Sequence, residues 1–289
     1  MLRNVGIGSL FKCDLIFHVK RGELYVLKTP YGSDIEIPTL QEREYENYKN
    51  IRHPLLPKFY GRVKDTSDLV IEFINGQSLL NINKMKLTYS DKLTIIFELM
   101  LIIHYFHENE LIYRDLKPNN VIFDENKTVV LIDFDRLVKN NNDEKRTGDL
   151  SSAFIDPEIM KTREYSYKSD IYSLGKMIDY VIKISIDDKE EVTRNSEDYL
   201  IIDNFIPKCV DEVPENRPQI STIIHEFYFK FKSKIQFQFV FNQHTDDINI
   251  STPNYRSNQN LESNSMIIHN QKSIIKWSIE KTIRFFPII

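Results

Sequence analysis

Three chemically active side chains crowd one short loop of this chain. Asp115, Lys117 and Asn120 all lie within Tyr113-Arg114-Asp115-Leu116-Lys117-Pro118-Asn119-Asn120. A second carboxylate, in Asp133-Phe134-Asp135, follows an apolar strand-like run, Val129-Val130-Leu131-Ile132. This is the set that metal-assisted phosphoryl transfer needs. Asp115 can take a hydroxyl proton, Lys117 can neutralise a moving phosphoryl group, and Asn120 and Asp133 offer oxygen ligands suited to Mg2+.

A chain of 289 residues with 41% apolar content suffices for one two-lobed domain or two ordinary ones. Its net charge of −4 gives no bias toward nucleic acid or anionic membranes. Cys13 and Cys209 lie too far apart in sequence to suggest a disulfide framework, which fits a reducing compartment. Nothing in the N-terminal residues resembles a signal peptide. The longest apolar stretch, Ile95 to Phe106, contains Glu98 and His104 and is too short to span a bilayer. The expectation is a soluble, cytoplasmic protein.

Residues 1–75 alternate short apolar runs with turn signals, as a small antiparallel sheet does, with strands at Leu24 to Lys28 and Asp68 to Ile74. Between them, Thr39-Leu40-Gln41-Glu42 reads as a capping box opening a helix. Leu40, Glu44, Tyr48 and Ile51 share one face of that helix, so Glu44 needs a partner. Residues 88–109 predict an amphipathic helix. Short strands flank the Asp124–Thr128 turn, and after an irregular polar stretch to about residue 156 the chain is mostly helical to about 232. Strands first and helices later predict an α+β fold. Beyond Lys232, Gln236 to Phe241 alternates polar and apolar residues. Residues 242–272 are rich in Asn, Ser and Gln and read as a flexible tail. Ser273 to Phe286 has the pattern of a basic amphipathic helix, open to a membrane-surface or partner role or to none.

The span from Val5 to about Phe229 resembles the eukaryotic-type protein kinases, with motifs in the family's order. The loop around Asp115 resembles the catalytic loop, and Asp133-Phe134-Asp135 the metal-binding motif. Gly6-Ile7-Gly8-Ser9-Leu10-Phe11-Lys12-Cys13 stands where the glycine-rich loop would be, and Tyr25-Val26-Leu27-Lys28 resembles the strand whose lysine binds the α/β-phosphates. The resemblance gives Glu44 its partner, Lys28. Val70 to Ser78 resembles the hinge between lobes, with adenine bonding to backbone near Glu72 and Ile74 and Ile71 as gatekeeper. Asp156-Pro157-Glu158 resembles the Ala-Pro-Glu segment, implying an ion pair between Glu158 and Arg217. Asp170 matches the residue that holds the catalytic-loop backbone.

The resemblance implies a bilobal fold, with a small β-rich lobe over about 1–74 and a larger helical lobe over about 79–232. ATP would bind between the lobes, and residues 233–289 would form the tail. Lys117 and Ser151 resemble the serine/threonine kinases. The implied substrate is a protein bearing Ser or Thr, with Asp115 and Lys117 catalytic, and Gly6, Ile7, Gly8, Cys13, Val26, Lys28, Glu44, Glu72 and Ile74 lining the nucleotide site. Asn120 and Asp133 would hold Mg2+. Arg114 suggests control by phosphorylation of the activation segment, with Thr147 as acceptor for an upstream kinase and Asp143 and Glu144 as a built-in alternative charge.

Four positions depart from the pattern: Phe11 for the third glycine, Tyr113 for histidine, Asp135 for glycine and Asp156 for alanine. Phe11 is expected to stiffen the loop and narrow the phosphate channel, and Asp135 to bias its loop. The stretch from Asp170 to Arg217 is short for the family, so its docking helix is expected to be reduced. An active kinase and a nucleotide-binding pseudokinase that serves as a docking module are the two main readings, with small-molecule phosphorylation a third. The pair His104 and His107 lacks a third metal ligand nearby in sequence.

Overall fold

A computed structural model of the chain describes residues 2–7, 10–31, 37–64, 66–84, 87–140, 152–184, 197–235, 239–241 and 248–250. The N-terminal part is a sheet carrying one helix. Strands β1 (Arg3–Ile7), β2 (Phe11–His18) and β3 (Glu23–Pro30) precede helix α1 (Ile37–Asn50), and β4 (Phe59–Arg62) and β5 (Leu69–Glu72) follow it. The antiparallel sheet runs β1-β2-β3-β5-β4. A tight turn joins β2 to β3, with His18 opposite Glu23 and Gly22 in the left-handed region at φ 68°.

The remainder is mainly helical, apart from short strand pairs. It comprises β6 (Gly76–Ser78), α2 (Tyr89–Glu108), β7 (Leu111–Ile112), β8 (Val121–Asp124), β9 (Val129–Leu131) and β10 (Val138–Lys139). Helices α3 (Pro157–Thr162), α4 (Tyr167–Lys183), α5 (Glu197–Cys209) and α6 (Ile220–Phe231) follow. The last elements, β11 (Phe239–Phe241) and β12 (Ile248–Ile250), pair antiparallel, so part of the stretch expected to be a flexible tail is strand. This is the expected α+β architecture, a β-rich lobe followed by a helical one. Among the described residues no helix is long and apolar enough to cross a membrane.

Three local expectations are corrected. Helix α1 begins at Ile37, so Thr39 lies inside its first turn and forms no capping box; Pro38, lacking an N–H and fixed in φ, suits that turn. Gln41 instead donates to the Ser67 carbonyl at 2.8 Å. Helix α2 is not half-exposed: every residue from Asp91 to Phe106 is buried, because α4, α6 and β9 pack around it. The capping box sits here, at Thr88 and Asp91. Lys92, fully buried on α2, donates to the Ile182 carbonyl at 2.7 Å and to that of Ile184, capping the end of α4.

The third correction concerns Arg217, whose side chain is fully buried. Its guanidinium makes a two-pronged contact with Asp156, at 3.0 Å through Nη2, and also donates to the carbonyls of Asp211 and Lys168. The expected partner, Glu158, is part-exposed and meets Lys161 at 3.1 Å. Asp156 is the N-cap of α3, whereas Glu158 is the second residue of its first turn. Asp156→Ala should therefore cost about 3–5 kcal/mol by stranding a buried cation, and Glu158→Gln about 0–1 kcal/mol. Chemical denaturation of the two variants measures the difference, and the opposite ranking would refute the pairing.

Glu98, buried in α2, accepts the Val129 amide at 2.7 Å, and burial pushes its carboxyl up to about 8. Between its ordinary value near 4.5 and about 8, the folded chain keeps a proton that the unfolded chain has lost. Stability from this group should be full below the lower value and fall as pH rises, by up to about 1.4 kcal/mol per pH unit. Glu98→Gln keeps an acceptor for Val129 and should flatten the slope between pH 5 and 8, read as urea midpoints. An unchanged slope would assign the pH dependence to other groups.

Candidate active site

Strand β3 delivers Lys28 and helix α1 delivers Glu44 to the same point. The Lys28 ammonium lies 2.7 Å from Glu44 Oε1 and 2.7 Å from Asp133 Oδ1. Lys28 and Glu44 are 6% and 0% exposed and Asp133 32%, so the cluster is closed toward the sheet and open on its Asp133 side. Glu44 Oε1 also accepts the Phe134 amide at 3.2 Å, tying α1 to the Asp133 turn. Burial opposes the Lys28 charge, but Asp133 and then Glu44 hold its ammonium well above the usual lysine value. For Asp133, burial raises the carboxyl and Lys28 more than reverses it, leaving it below the ordinary range. Burial pushes Glu44 upward despite Lys28. Asp135 is pushed up to about 8, first by burial and then by Asp133.

The second cluster hangs from Asp170 in α4. Its carboxylate accepts the backbone amides of Tyr113 and Arg114, each at 2.9 Å, and lies 3.0 Å from His107 Nε2. Held this way, Arg114 takes a left-handed φ of 70°. Lys117 Nζ meets Asp115 Oδ2 at 2.7 Å, and Asn120 Nδ2 donates to the same oxygen at 2.8 Å and to the Asp115 carbonyl at 2.9 Å. The Ile132 amide donates to the Asn120 carbonyl at 2.9 Å, setting Asp133 beside the loop. The donor set suits a hard dication: with Nδ2 committed to Asp115 and Asp133 Oδ1 to Lys28, Asn120 Oδ1 and Asp133 Oδ2 are the oxygens left to face it.

An aromatic column supports both clusters. Tyr48 of α1 stacks on Phe59 at 5.4 Å and meets the Phe134 edge at 5.0 Å. Phe134 lies 6.3 Å from Tyr113, whose ring stacks on Phe106 at 5.6 Å. Tyr113 fills the expected stacking place, and its hydroxyl donates to the Ile132 carbonyl at 2.7 Å. Asn47 donates to the carbonyls of Phe134 and Leu137 at 2.7 and 2.9 Å. Sequence reasoning missed Asn47 and the link from His107 to Asp170, since both partners are distant along the chain.

The remaining candidates are distributed as follows. Cys13 stands opposite Lys28 in the β2–β3 ladder, and burial raises its thiol to about 11. Val26, buried, pairs with Ile71 across β5, and Tyr25 with Glu72. Glu72 Oε2 accepts the Lys58 amide at 3.0 Å, and Ile74 is buried just beyond the strand. Gly6 and the Ile7 backbone belong to β1, whereas Gly8, Ser151, Thr147, Asp143 and Glu144 lie outside the described residues, as does Ser273 to Phe286. The left-handed residue of the Asp133–Asp135 turn is Asp133, at φ 72°, and Asp135 is not in the region that favours glycine. Arg114 donates through Nε to the Arg136 carbonyl at 2.7 Å, with its guanidinium 5.2 Å from the Tyr165 ring centre.

Several known proteins are similar to this chain in sequence. An Aurora kinase of Eremothecium gossypii is 28% identical over 179 residues, covering 59% of this chain and 49% of that protein. A probable serine/threonine-protein kinase of Dictyostelium discoideum is 28% identical over 199 residues, 62% of this chain and 48% of that one. An Aurora kinase of Schizosaccharomyces pombe is 24% identical over 251 residues, 79% and 70% respectively. The chain spans about half the length of the first two relatives. A family description, protein kinase domain, matches residues 1–229, which is most of the molecule and includes both side-chain clusters. On that breadth of match, the chain belongs to the protein kinase domain family.

Proposed function

We propose that the chain is an active serine/threonine protein kinase that transfers the γ-phosphoryl group of Mg-ATP to a protein hydroxyl. One observation carries the reading. Lys28, Glu44 and Asp133 form one hydrogen-bonded cluster, and Asp115, Lys117 and Asn120 form another. A backbone hydrogen bond, Ile132 to Asn120, continues the β8–β9 ladder and joins their segments. All six side chains that phosphoryl transfer calls for are present in two adjoining groups. The Dictyostelium relative, a probable serine/threonine-protein kinase, supports the serine/threonine assignment, as does Lys117.

In this reading Gly6, Ile7 and Gly8 present backbone N–H groups to the phosphates. Cys13 and Val26 line the nucleotide site, and the backbone near Glu72 and Ile74 bonds to adenine. Lys28, held by Glu44, steadies the α- and β-phosphates. Asn120 and Asp133 would hold Mg2+, which supplies charge neutralisation along the phosphates. Asp115 takes the proton of the substrate hydroxyl as its oxygen bonds to the γ-phosphorus. The bond to the bridging oxygen breaks, ADP leaves, and Lys117 offsets the charge on the transferred group. We assign residues 1–232 to the catalytic domain, with core packing that continues to Ile235, and residues 233–289 to a separate tail. Thr147 is the proposed acceptor for an upstream kinase, with Arg114 receiving the phosphate.

One observation favours the alternative, a nucleotide-binding module without turnover: the Phe11 ring covers part of the Lys28 ammonium. Phosphate incorporation from labelled Mg-ATP, into the chain itself and into a basic protein mixture, separates the readings. Asp115→Asn should keep nucleotide affinity within a few-fold and lower transfer by about 10²–10⁴-fold. Turnover retained in Asp115→Asn would remove that residue from the mechanism. ATP binding without transfer in the unmodified chain would establish the binding module.

A further inference from the structure

A groove of about 470 Å³ opens between α5 and α6, and none of its lining residues belongs to either side-chain cluster. Its walls come from Asn204, Phe205 and Lys208 on α5 and from His225, Phe229 and Lys230 on α6. On each helix these positions recur at the spacing that puts side chains on one stripe. Other stripes of the same helices fill the core, with Ile202 and Cys209 buried on α5 and Ile223, Ile224, Phe227 and Phe231 on α6. Phe205 is buried where it lines the groove, whereas Phe229 stands 59% exposed on a helix whose apolar face is already filled. A surface ring there offers a partner apolar area to bury at little cost to the fold.

The rim of the groove is cationic. Lys208 lies 3.5 Å from Glu226 and 5.7 Å from the Phe205 ring centre, and Lys232 lies 5.3 Å from that of Phe229. Glu226 is the one carboxylate lining the groove among the described residues, and Lys208 already engages it. Lys230 and Lys232 meet no carboxylate among the described residues. Three lysines thus surround two rings on a chain whose net charge is −4, a local reversal of sign. We propose that this groove docks an acidic segment of a partner protein, with an aromatic or leucine side chain against Phe205 and Phe229 and carboxylates facing Lys208, Lys230 and Lys232. Charge selects this occupant over the chain's own Ser273 to Phe286, whose Lys276, Lys281 and Arg284 would meet like charge. Apolar burial supplies most of the affinity of such a contact, and the lysines supply the choice of partner and the speed of encounter. The docking uses no residue of the Lys28 or Asp115 clusters, so it does not rest on the phosphoryl-transfer reading.

Fluorescence anisotropy on the full chain tests the proposal. The probe is a labelled peptide of glutamates and leucines around one phenylalanine, with a counterpart in which lysine replaces each glutamate. The acidic peptide should bind at least about tenfold more tightly than the basic one, and added salt should narrow the gap. Phe229→Ala should weaken the acidic peptide by about tenfold. Lys230→Glu should weaken it by about five- to tenfold and lessen its salt dependence. Both side chains are exposed, so unchanged thermal midpoints serve as the fold control, and where Phe229→Ala does not fold Lys230→Glu decides. Equal affinity for the two peptides, binding of neither, or an acidic peptide indifferent to both substitutions overturns the proposal. Two other occupants are tested alongside. A dimer in sedimentation that Phe229→Ala dissolves would give the groove to a second copy of the chain. A synthetic peptide of residues 273–286 that outcompetes the acidic one would give it to the chain's own C-terminal part. Either result overturns the acidic partner.

Discussion

The Lys28 ammonium is the point through which the sheet, helix α1 and the Asp133 turn are joined. One cation faces Glu44, Asp133 and the nearby Asp135, all of them largely removed from water or close to the buried pair. Such a pair is weak as a source of stability, since the desolvation of both ions offsets most of their attraction. Its value is in specifying where α1 sits: Glu44 reaches Lys28 only if the helix lies against the sheet, and only then can it accept the Phe134 amide. The imbalance of charge is part of the same design. Lys28 satisfies Asp133 well enough to keep its carboxyl low, whereas Asp135 is left with a raised value near 8.

Asp170 plays the corresponding part for the helical lobe. A single carboxylate holds two consecutive backbone amides and so maintains a left-handed Arg114, a conformation that costs about 1–3 kcal/mol in a non-glycine residue. The turn at Asp133 carries a second such residue, with Asn47, Glu44 and the rings of Tyr48 and Tyr113 fixing its neighbours. Strain at both places is matched by hydrogen bonds and packing drawn from separate elements. Gly175 shows how closely the lower lobe must be assembled: a Cβ there would lie 2.6 Å from that of Cys209, so α4 and α5 approach nearer than a side chain allows.

What could be read from the sequence depended on how far a partner lay along the chain and how many rivals it had. Asp115, Lys117 and Asn120 fall on one loop, so their meeting followed from spacing, and the face shared by Leu40, Glu44, Tyr48 and Ile51 followed from helical period. Helix α2 was legible as a helix but not as a buried one, because its few polar residues suggested an open face. Lys92 and Glu98 instead find partners on α4 and β9. The acceptor for Arg217 was misjudged because two carboxylates stand two residues apart. Only the start of α3 decides which points inward: its N-cap, Asp156, meets Arg217 while Glu158 turns to the surface. His107, unremarkable beside His104 on a helix, owes its place near the site to Asp170, 63 residues further on.

The departures from the family pattern have a common physical logic. At Asp135 the backbone does not enter the region that favours glycine, so a side chain brings no conformational strain and its cost is electrostatic. Tyr113 keeps a flat ring between Phe106 and Phe134 and adds a hydroxyl bond to the Ile132 carbonyl, one residue before Asp133. Asp156 supplies the carboxylate that Arg217 needs and caps α3 with the same group, accepting the Glu158 amide at 3.0 Å. Tyr113 and Asp156 thus each bring a bond of their own to the place they occupy, whereas Asp135 brings a charge. A departure judged by residue type alone reads as a loss. Judged by its contacts, it leaves every side chain of the clusters around Lys28 and Asp115 in place.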